Sequence, residues 1–348
     1  MAIIHAEAQT GGIAVSPQPA TVEISVKGRW IKTPAIKIGR HAVIARGGVL
    51  KIAAIQDEAW MDTDIESPEV FIDALKGPSG KGLRADIFTF GQRVPGTLPR
   101  FPYAVEWDST AAICLKSFKE WWEGLPQEAR KNVRRSAKRG VTVVVEPFDD
   151  ELVRKIAEVH NESPLRQGRP NVYYGRTLEE SRKDHAAFVE RSDFICAYVG
   201  IELIGFLKLV YRGNVASILN LVTKSIHYDK RPANVLIAKA VELAEAKAVT
   251  HITYGMFNYG NKRDNPLREF KVRNGFAEVL TPRFYVPLTA WGRICMKAGL
   301  HRGLHGILPH SVIVWGVKAR SRWYALKQFR GIRNAAAEPT VPAGPTGA

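Results

Sequence analysis

The alternation of apolar and polar positions is most regular between residues 214 and 286, where it reads strand, charged turn, long helix, strand, short helix, strand. The first strand is Asn214-Val-Ala-Ser-Ile-Leu-Asn-Leu-Val222, and Lys224-Ser-Ile-His-Tyr-Asp-Lys-Arg231 is the turn. A helix is predicted from Pro232 to Ala248. Val235, Leu236, Ala240, Leu243 and Ala244 share one face of it, while Lys239, Glu242, Glu245 and Lys247 lie opposite. Pro232 suits a first turn, where its missing N–H breaks no bond. The next strand, Thr250 to Met256, runs into Phe257-Asn-Tyr-Gly260, and residues 267–276 predict a helix closing on Gly275.

Upstream of this unit the periodicity changes twice. From Thr21 to about Ile113 it is short: residues 22–26, 42–45, 49–53 and 87–90 are strand-like runs between glycine-rich turns, with one short helix at 68–75. Residues 127–139 then read as a helix, 141–147 as a strand, 149–161 as a helix capped by Asp149 or Asp150, and 163–170 as a loop. Thr177 followed by Glu180 is a capping-box spacing that opens a helix predicted to reach Arg191. Two strands, 194–199 and 203–211, lead by tight turns into the strand at 214, an antiparallel meander, and the long helix after it places the following strand parallel to its predecessor. The predicted fold class is α/β (α+β), a mixed sheet with a crossover helix behind a β-rich N-terminal lobe. The expected segments are a flexible lead-in at 1–20, the lobe at 21–117, the mixed domain at 118–290, a basic aromatic segment at 291–334 and a disordered tail at 335–348.

Charge changes this picture more than composition does. The 348 residues are 45% hydrophobic and 24% charged, ordinary for a globular protein, but the formal net charge is +16. An anionic partner is implied: donor phosphates, tRNA or another nucleic acid, or an anionic membrane surface. Two segments concentrate the charge. Arg130, Lys131, Arg134, Arg135, Lys138 and Arg139 form a ridge on one helix, either an anion contact or a solvated face. Residues 279–337 hold no Asp or Glu, and there Arg283, Arg293, Lys297, Arg302, Lys318, Arg320, Arg322, Lys327, Arg330 and Arg333 are interleaved with Trp291, Trp315, Trp323, Tyr324 and Phe329. That mixture suits a membrane surface or RNA, and equally a packed helix pair with a solvated face. Three distant cysteines and the lack of a signal-peptide pattern point to a reducing compartment. The expected location is cytoplasmic, in solution or peripheral at the inner face of the membrane.

The element order from 141 to 286 resembles that of GNAT-type acyltransferases, and Asn265-Pro-Leu-Arg-Glu-Phe-Lys-Val-Arg-Asn-Gly-Phe276 resembles the Asn…Gly-Phe close of their last helix. Arg130-Lys-Asn-Val-Arg-Arg-Ser-Ala-Lys-Arg-Gly-Val141 is similar to the Arg-rich helix leading into the second domain of FemAB-like peptidyltransferases. The resemblance implies transfer of an acyl or aminoacyl group to an amine acceptor, including cell-envelope or polysaccharide precursors. The implied donors are acetyl-CoA or another acyl-CoA, or aminoacyl-tRNA. One departure stands out. Where coenzyme A users carry a two-glycine loop around the pyrophosphate, this chain reads Asp229-Lys-Arg-Pro-Ala-Asn234, and without glycine the backbone is not expected to take positive φ readily. A non-catalytic module of the same fold, holding RNA or an anionic envelope component, is the second reading.

Acyl transfer needs a base for the amine, a donor for the oxyanion and an acid for the leaving group. His227 is the candidate base, since its unperturbed pKa lies nearest neutrality. Tyr259 is the candidate acid, with Asn258 beside it. Lys230, Arg231 and the first amides of the long helix, at Ala233, Asn234 and Val235, are the candidate donor-phosphate site. Arg166 and Arg169, with Arg134 and Arg135, are the candidate acceptor or anion contacts. Each has a plain alternative: an exposed turn histidine, a packing tyrosine, solvated cations. The chain carries no metal-ligand spacing, Walker loop, nucleophile elbow or dinucleotide fingerprint, so no metal is expected and hydrolase, kinase and dehydrogenase readings fall away.

Overall fold

The structure is a computed structural model that describes residues 17–26, 28–166, 169–258 and 266–303, the side chain of Arg169 excepted. Tyr259, most of the basic aromatic segment and the C-terminal tail lie outside them. The chain forms two compact units, one of residues 1–108 with 281–301, the other of 109–280 with 302–348, and the boundaries fall within two strands.

The first unit holds β1 (Gln18–Val26), β2 (Arg29–Ile38), β3 (His41–Arg46), β4 (Ile52–Ile55), α1 (Pro68–Lys76) and β5 (Ile87–Gly91). Each of β1 to β3 pairs antiparallel with the next, and β4 runs parallel to β5. The runs at 22–26, 42–45 and 87–90 and the short helix fall where their patterns place them, while the run expected at 49–53 is a strand only from Ile52, reaching Ile55. The sequence reading did not resolve β2, where Lys32, Pro34 and Lys37 interrupt the apolar alternation. Ala35 on one face and Ile36 and Ile38 on the other are nevertheless buried. Phe88 and Phe90 of β5 stack with Phe71 and Phe284, and rings buried this fully contribute roughly 1.5–3 kcal/mol each.

The second unit follows from β6 (Ala104–Cys114) through α2 (Phe118–Gly124), α3 (Gln127–Lys138), β7 (Val141–Glu146) and α4 (Asp150–His160). A two-residue hairpin, β8 (Leu165–Arg166) and β9 (Arg169–Pro170), precedes α5 (Leu178–His185), β10 (Ser192–Val199), β11 (Glu202–Arg212) and β12 (Val215–Thr223). Then come α6 (Pro232–Ala246), β13 (His251–Met256), α7 (Pro266–Arg273) and β14 (Ala277–Pro287), with α8 (Ala290–Lys297) after it. From residue 281 the chain belongs to the first unit, where Arg283–Pro287 pair antiparallel with β5. The second unit's sheet has the order β6-β13-β12-β11-β10-β7. β10, β11 and β12 form the antiparallel meander, and α6 crosses over to make β13 parallel to β12.

Local chemistry explains the helix ends. Asp149 accepts from the Leu152 amide at 2.8 Å, and Thr177 and Glu180 form the reciprocal capping box. The helix expected to reach Arg191 stops at His185, because the buried ammonium of Lys208 on β11 donates to the main-chain oxygens of His185 (2.7 Å) and Ala187. Those are the carbonyls a helix end leaves without partners, and a cation there also meets the negative end of the helix dipole. The Asn-Gly-Phe close of α7 is equally concrete. Asn274 binds the Asn234 amide group through Oδ1 (2.9 Å), and its carbonyl accepts from Trp121 Nε1 (3.3 Å). Gly275 turns with φ +84° against the Trp121 ring, where a Cβ would lie 2.6 Å from Nε1.

Candidate functional site

The feature that shapes the site is a fork in the second unit's sheet. β12 and β13 pair over three residues only, Val215, Ala216 and Ser217 with His251, Ile252 and Thr253, although β12 continues to Thr223 and β13 to Met256. A bulge at Leu219, where the register with β11 skips a residue, accompanies the divergence. At the crotch, Ser217 Oγ and Thr253 Oγ1 are hydrogen-bonded at 2.6 Å. Beyond it, the β13-facing edge of β12 has no strand partner among the described residues, which leaves main-chain groups on that wall for a ligand.

The turn after β12 carries the candidate base and cations. Lys230 Nζ donates to His227 Nδ1 at 3.0 Å, which leaves the ring proton on Nε2, facing Glu202 Oε2 at 3.2 Å. Both ring nitrogens are therefore engaged. Lys224 Nζ holds the other Glu202 oxygen at 2.7 Å, and that carboxyl lies below its ordinary value chiefly through the hydrogen bond from Lys224. Arg139, at the C-cap of α3, donates to Asp229, and the Ser136 hydroxyl shares its one proton between the carbonyls of Lys230 (2.7 Å) and Arg231 (3.1 Å). The C-terminal half of the α3 ridge thus lies against the start of α6.

Arg231 corrects one expectation. It takes φ 56° and ψ 41°, so the loop does enter the left-handed region without a glycine, where the Ser136 hydroxyl meets the carbonyls of Lys230 and Arg231. For a non-glycine residue this conformation costs roughly 1–2 kcal/mol. Arg231→Gly is accordingly expected to raise thermal stability by a few degrees while removing one exposed cation. Differential scanning calorimetry checks this, and a lowered midpoint would mean that the arginine side chain anchors the turn. The same loop offers a pyrophosphate few backbone amides. Pro232 removes one amide, the Arg231 amide is spent on Tyr228 O at 3.2 Å, and the Asn234 amide on Arg231 O at 3.1 Å. Ala233, Asn234 and Val235 are half-buried, and Val235 packs on the core.

The remaining candidates are dispersed. Asn258 ends the other wall of the fork, where its amide donates to Ser109 Oγ (3.1 Å) and its Nδ2 to Glu278 Oε1 (2.8 Å). No described contact joins it to His227. Arg166 donates to Thr223 O at 2.7 Å, tying the loop after α4 to the end of β12. Arg134 lies over the Trp122 ring, and Arg135 meets Asn132 and Glu128, so these two are occupied within their own helix pair. Among the described residues no group of three or more His, Cys, Asp or Glu converges on a metal position, and no helix is long and apolar enough to cross a membrane.

Two buried clusters escaped the sequence reading. Lys271 is 1% exposed, and its ammonium donates to Met256 O (2.7 Å) at the last residue of β13, 4.7 Å from the Tyr254 ring centre. Burial lowers its pKa to about 8. Its signal was present: Lys271 stands four residues after Leu267 and beside Phe270, on the inward face of α7. On the other side of the sheet, His160 and His185 are each 2% exposed, with Nε2 atoms 3.2 Å apart. Tyr173 packs on both rings, Phe206 meets both edge-on, and Lys208 lies beyond, its pKa lowered to about 8 by burial. Burial, with Arg166 and the partner ring adding to it, lowers His160 to about 3. Burial and Lys208 lower His185 to about 4.

No family model matches the chain, and none of the curated proteins matches it. Solved structures do. The C-terminal domain of a proposed lysylphosphatidylglycerol synthetase from Agrobacterium fabrum superposes with TM-score 0.50 at 13% identity, over 75% of this chain and 85% of that one. FemX superposes with TM-score 0.49 at 12% identity over 77% and 88%. A tandem GNAT protein from the clavulanic acid pathway gives 0.40 at 13% over 74% and 83%. The chain thus shares the fold of the Agrobacterium domain, and its second unit has a meander, a crossover helix and a splayed parallel pair.

Proposed function

We propose that the chain is an aminoacyl- or acyltransferase that joins an acyl group from an activated ester to an amine. The observation that carries this reading is the fork itself, with a buried lysine of lowered pKa anchored at the end of one wall. In the reaction the amine nitrogen bonds to the acyl carbon and the ester C–O bond breaks. The amine loses a proton to a base, and the released oxygen takes one up. Lys271 supplies positive charge beside the developing oxyanion, where low dielectric strengthens it. His227 is the base: Glu202 fixes its tautomer, and Nδ1 becomes free when the Lys230 ammonium turns onto a donor phosphate. Tyr259 is the acid and Asn258 its neighbour on the far wall.

Aminoacyl-tRNA is the donor this arrangement favours. The loop before α6 spends the Arg231 and Asn234 amides and lacks one at Pro232, which leaves little backbone for a pyrophosphate, whereas Lys230 and Arg231, with Arg139 beside Asp229, are cations suited to a phosphodiester chain. The Agrobacterium domain is part of a proposed synthetase of an aminoacylated lipid, which is in keeping with amino-acid transfer and with an envelope acceptor. Arg166 and Arg169 are the proposed acceptor contacts. Mixed tRNA charged with labelled amino acids, incubated with the protein and an envelope-lipid extract, is expected to pass label to an amine or lipid product. Lys271→Met should lower that transfer about 100-fold with an unchanged unfolding midpoint. Transfer from acetyl-CoA alone would reverse the donor assignment. Binding of tRNA without transfer from either donor would leave the non-catalytic module, a reading favoured by the engaged His227 ring.

A further inference from the structure

The first unit contains a second, separate feature: an open cavity of about 620 Å³ between the end of α1, the turn after it and the start of the segment following β14. Lys76, Lys81 and Arg84 line it and are exposed. None of the three forms an ion pair with a described residue, whereas Arg93, Arg100 and Arg283 of the same unit each do. The one carboxylate in the lining, Asp86, is already spent: Oδ2 accepts the Lys51 amide at 2.9 Å and Oδ1 accepts Thr289 Oγ1 at 3.0 Å. Arg84 sits at φ 49°, a left-handed conformation unfavourable for arginine. Three cations within nine residues therefore face one concavity against a single carboxylate, whose oxygens are already held by an amide and a hydroxyl.

We infer that this cavity is a binding site for a phosphate-bearing small molecule or headgroup. The volume is that of small-ligand pockets, roughly 300–1,000 Å³, and not that of the long stripe a nucleic-acid backbone follows. Cations spaced around a cavity suit the several oxygens of a phosphate ester or diphosphate, and each bond they form is charge-assisted. The site goes beyond the transfer reaction and stands on residues that the fork does not use.

The test compares two charge-matched variants of the full chain: Lys76→Gln, Lys81→Gln, Arg84→Gln together, and Arg29→Gln, Lys32→Gln, Lys37→Gln together, all at exposed positions of the same unit. Calorimetric titration with inorganic pyrophosphate reads the free phosphate. Co-sedimentation with phosphatidylcholine vesicles, with and without phosphatidylglycerol, reads the lipid headgroup. Saturable binding to either probe that weakens about tenfold or more in the cavity variant, and less than about twofold in the other, is the expected result. Saturation by pyrophosphate identifies a soluble ligand, and saturation by the vesicles alone identifies a lipid. Equal weakening in both variants, or no saturable binding to either probe, overturns the proposal.

Discussion

Replacing Glu58 with alanine is expected to destabilise the first unit by about 3 to 5 kcal/mol, the loss typical when one partner is removed from a buried charge network. Glu58 is 8% exposed and accepts from the Gly91 amide at 2.5 Å, from Arg93, and from both terminal nitrogens of Arg283 at 3.3 Å. Arg283 also holds Asp108 Oδ2 at 2.7 Å. Burial alone would push the Glu58 carboxyl up, but Arg93 and Arg283 together hold it below its ordinary 4.5. The sign follows: this contribution is fully present above about pH 4.5 and is lost as pH falls through the lower folded value. Alanine strands two guanidinium groups with Asp108 as their remaining shared acid. Urea denaturation followed by amide exchange in β5 measures the loss, and a value under about 1 kcal/mol would show that the arginines reach water instead. Adding Arg283→Met should recover part of the loss, because the stranded charge is then gone.

The elements carrying a strong period were legible in the sequence. Every strand of the meander, the crossover helix and the Asp149 and Thr177 caps follow from local pattern, and the parallel return of β13 follows from the length of α6. What failed to show was decided by distant partners. Helix α5 has the composition to continue, but Lys208, more than twenty residues on, ends it at its carbonyls. The loop at Arg231 lacks the glycine that signals a left-handed turn, and Ser136, on another helix, meets the carbonyls of Lys230 and Arg231 there. The return of residues 281–301 to the first unit depends on the pairing of Arg283–Pro287 with β5, a register that no local pattern encodes. Sequence reasoning weighed lysines and histidines as surface charge, and so passed over Lys208, Lys271, His160 and His185. Each is on the inward face of its element, and that position marks a buried polar group that must find partners.

Between about pH 7 and pH 5 the second unit is expected to lose about 2 kcal/mol of stability for each of His160 and His185. The two rings share one Nε2–Nε2 contact, so one neutral ring donates and the other accepts, and protonating both would set two cations side by side. Around them stand Arg166 from the loop after α4, Lys208 from β11, Tyr173 stacked on both, and the Asp184–Arg176 pair from α5 and its lead-in. The two charges that press directly on the rings, Arg166 on His160 and Lys208 on His185, are positive. The folded pKa values, about 3 and about 4, therefore lie below the ordinary 6.5. The unfolded chain takes up both protons as pH falls through 6.5 and the folded chain does not, so stability declines from there down to the folded values and levels off beneath them. Urea denaturation at a series of pH values, with amide exchange in α4 and α5 to isolate this unit, reads the slope. In the variant His160→Gln with His185→Gln that slope should nearly vanish even if the midpoint at neutral pH shifts. An unchanged slope would place the proton uptake at His41 and His251, the half-buried histidines whose pKa burial also lowers.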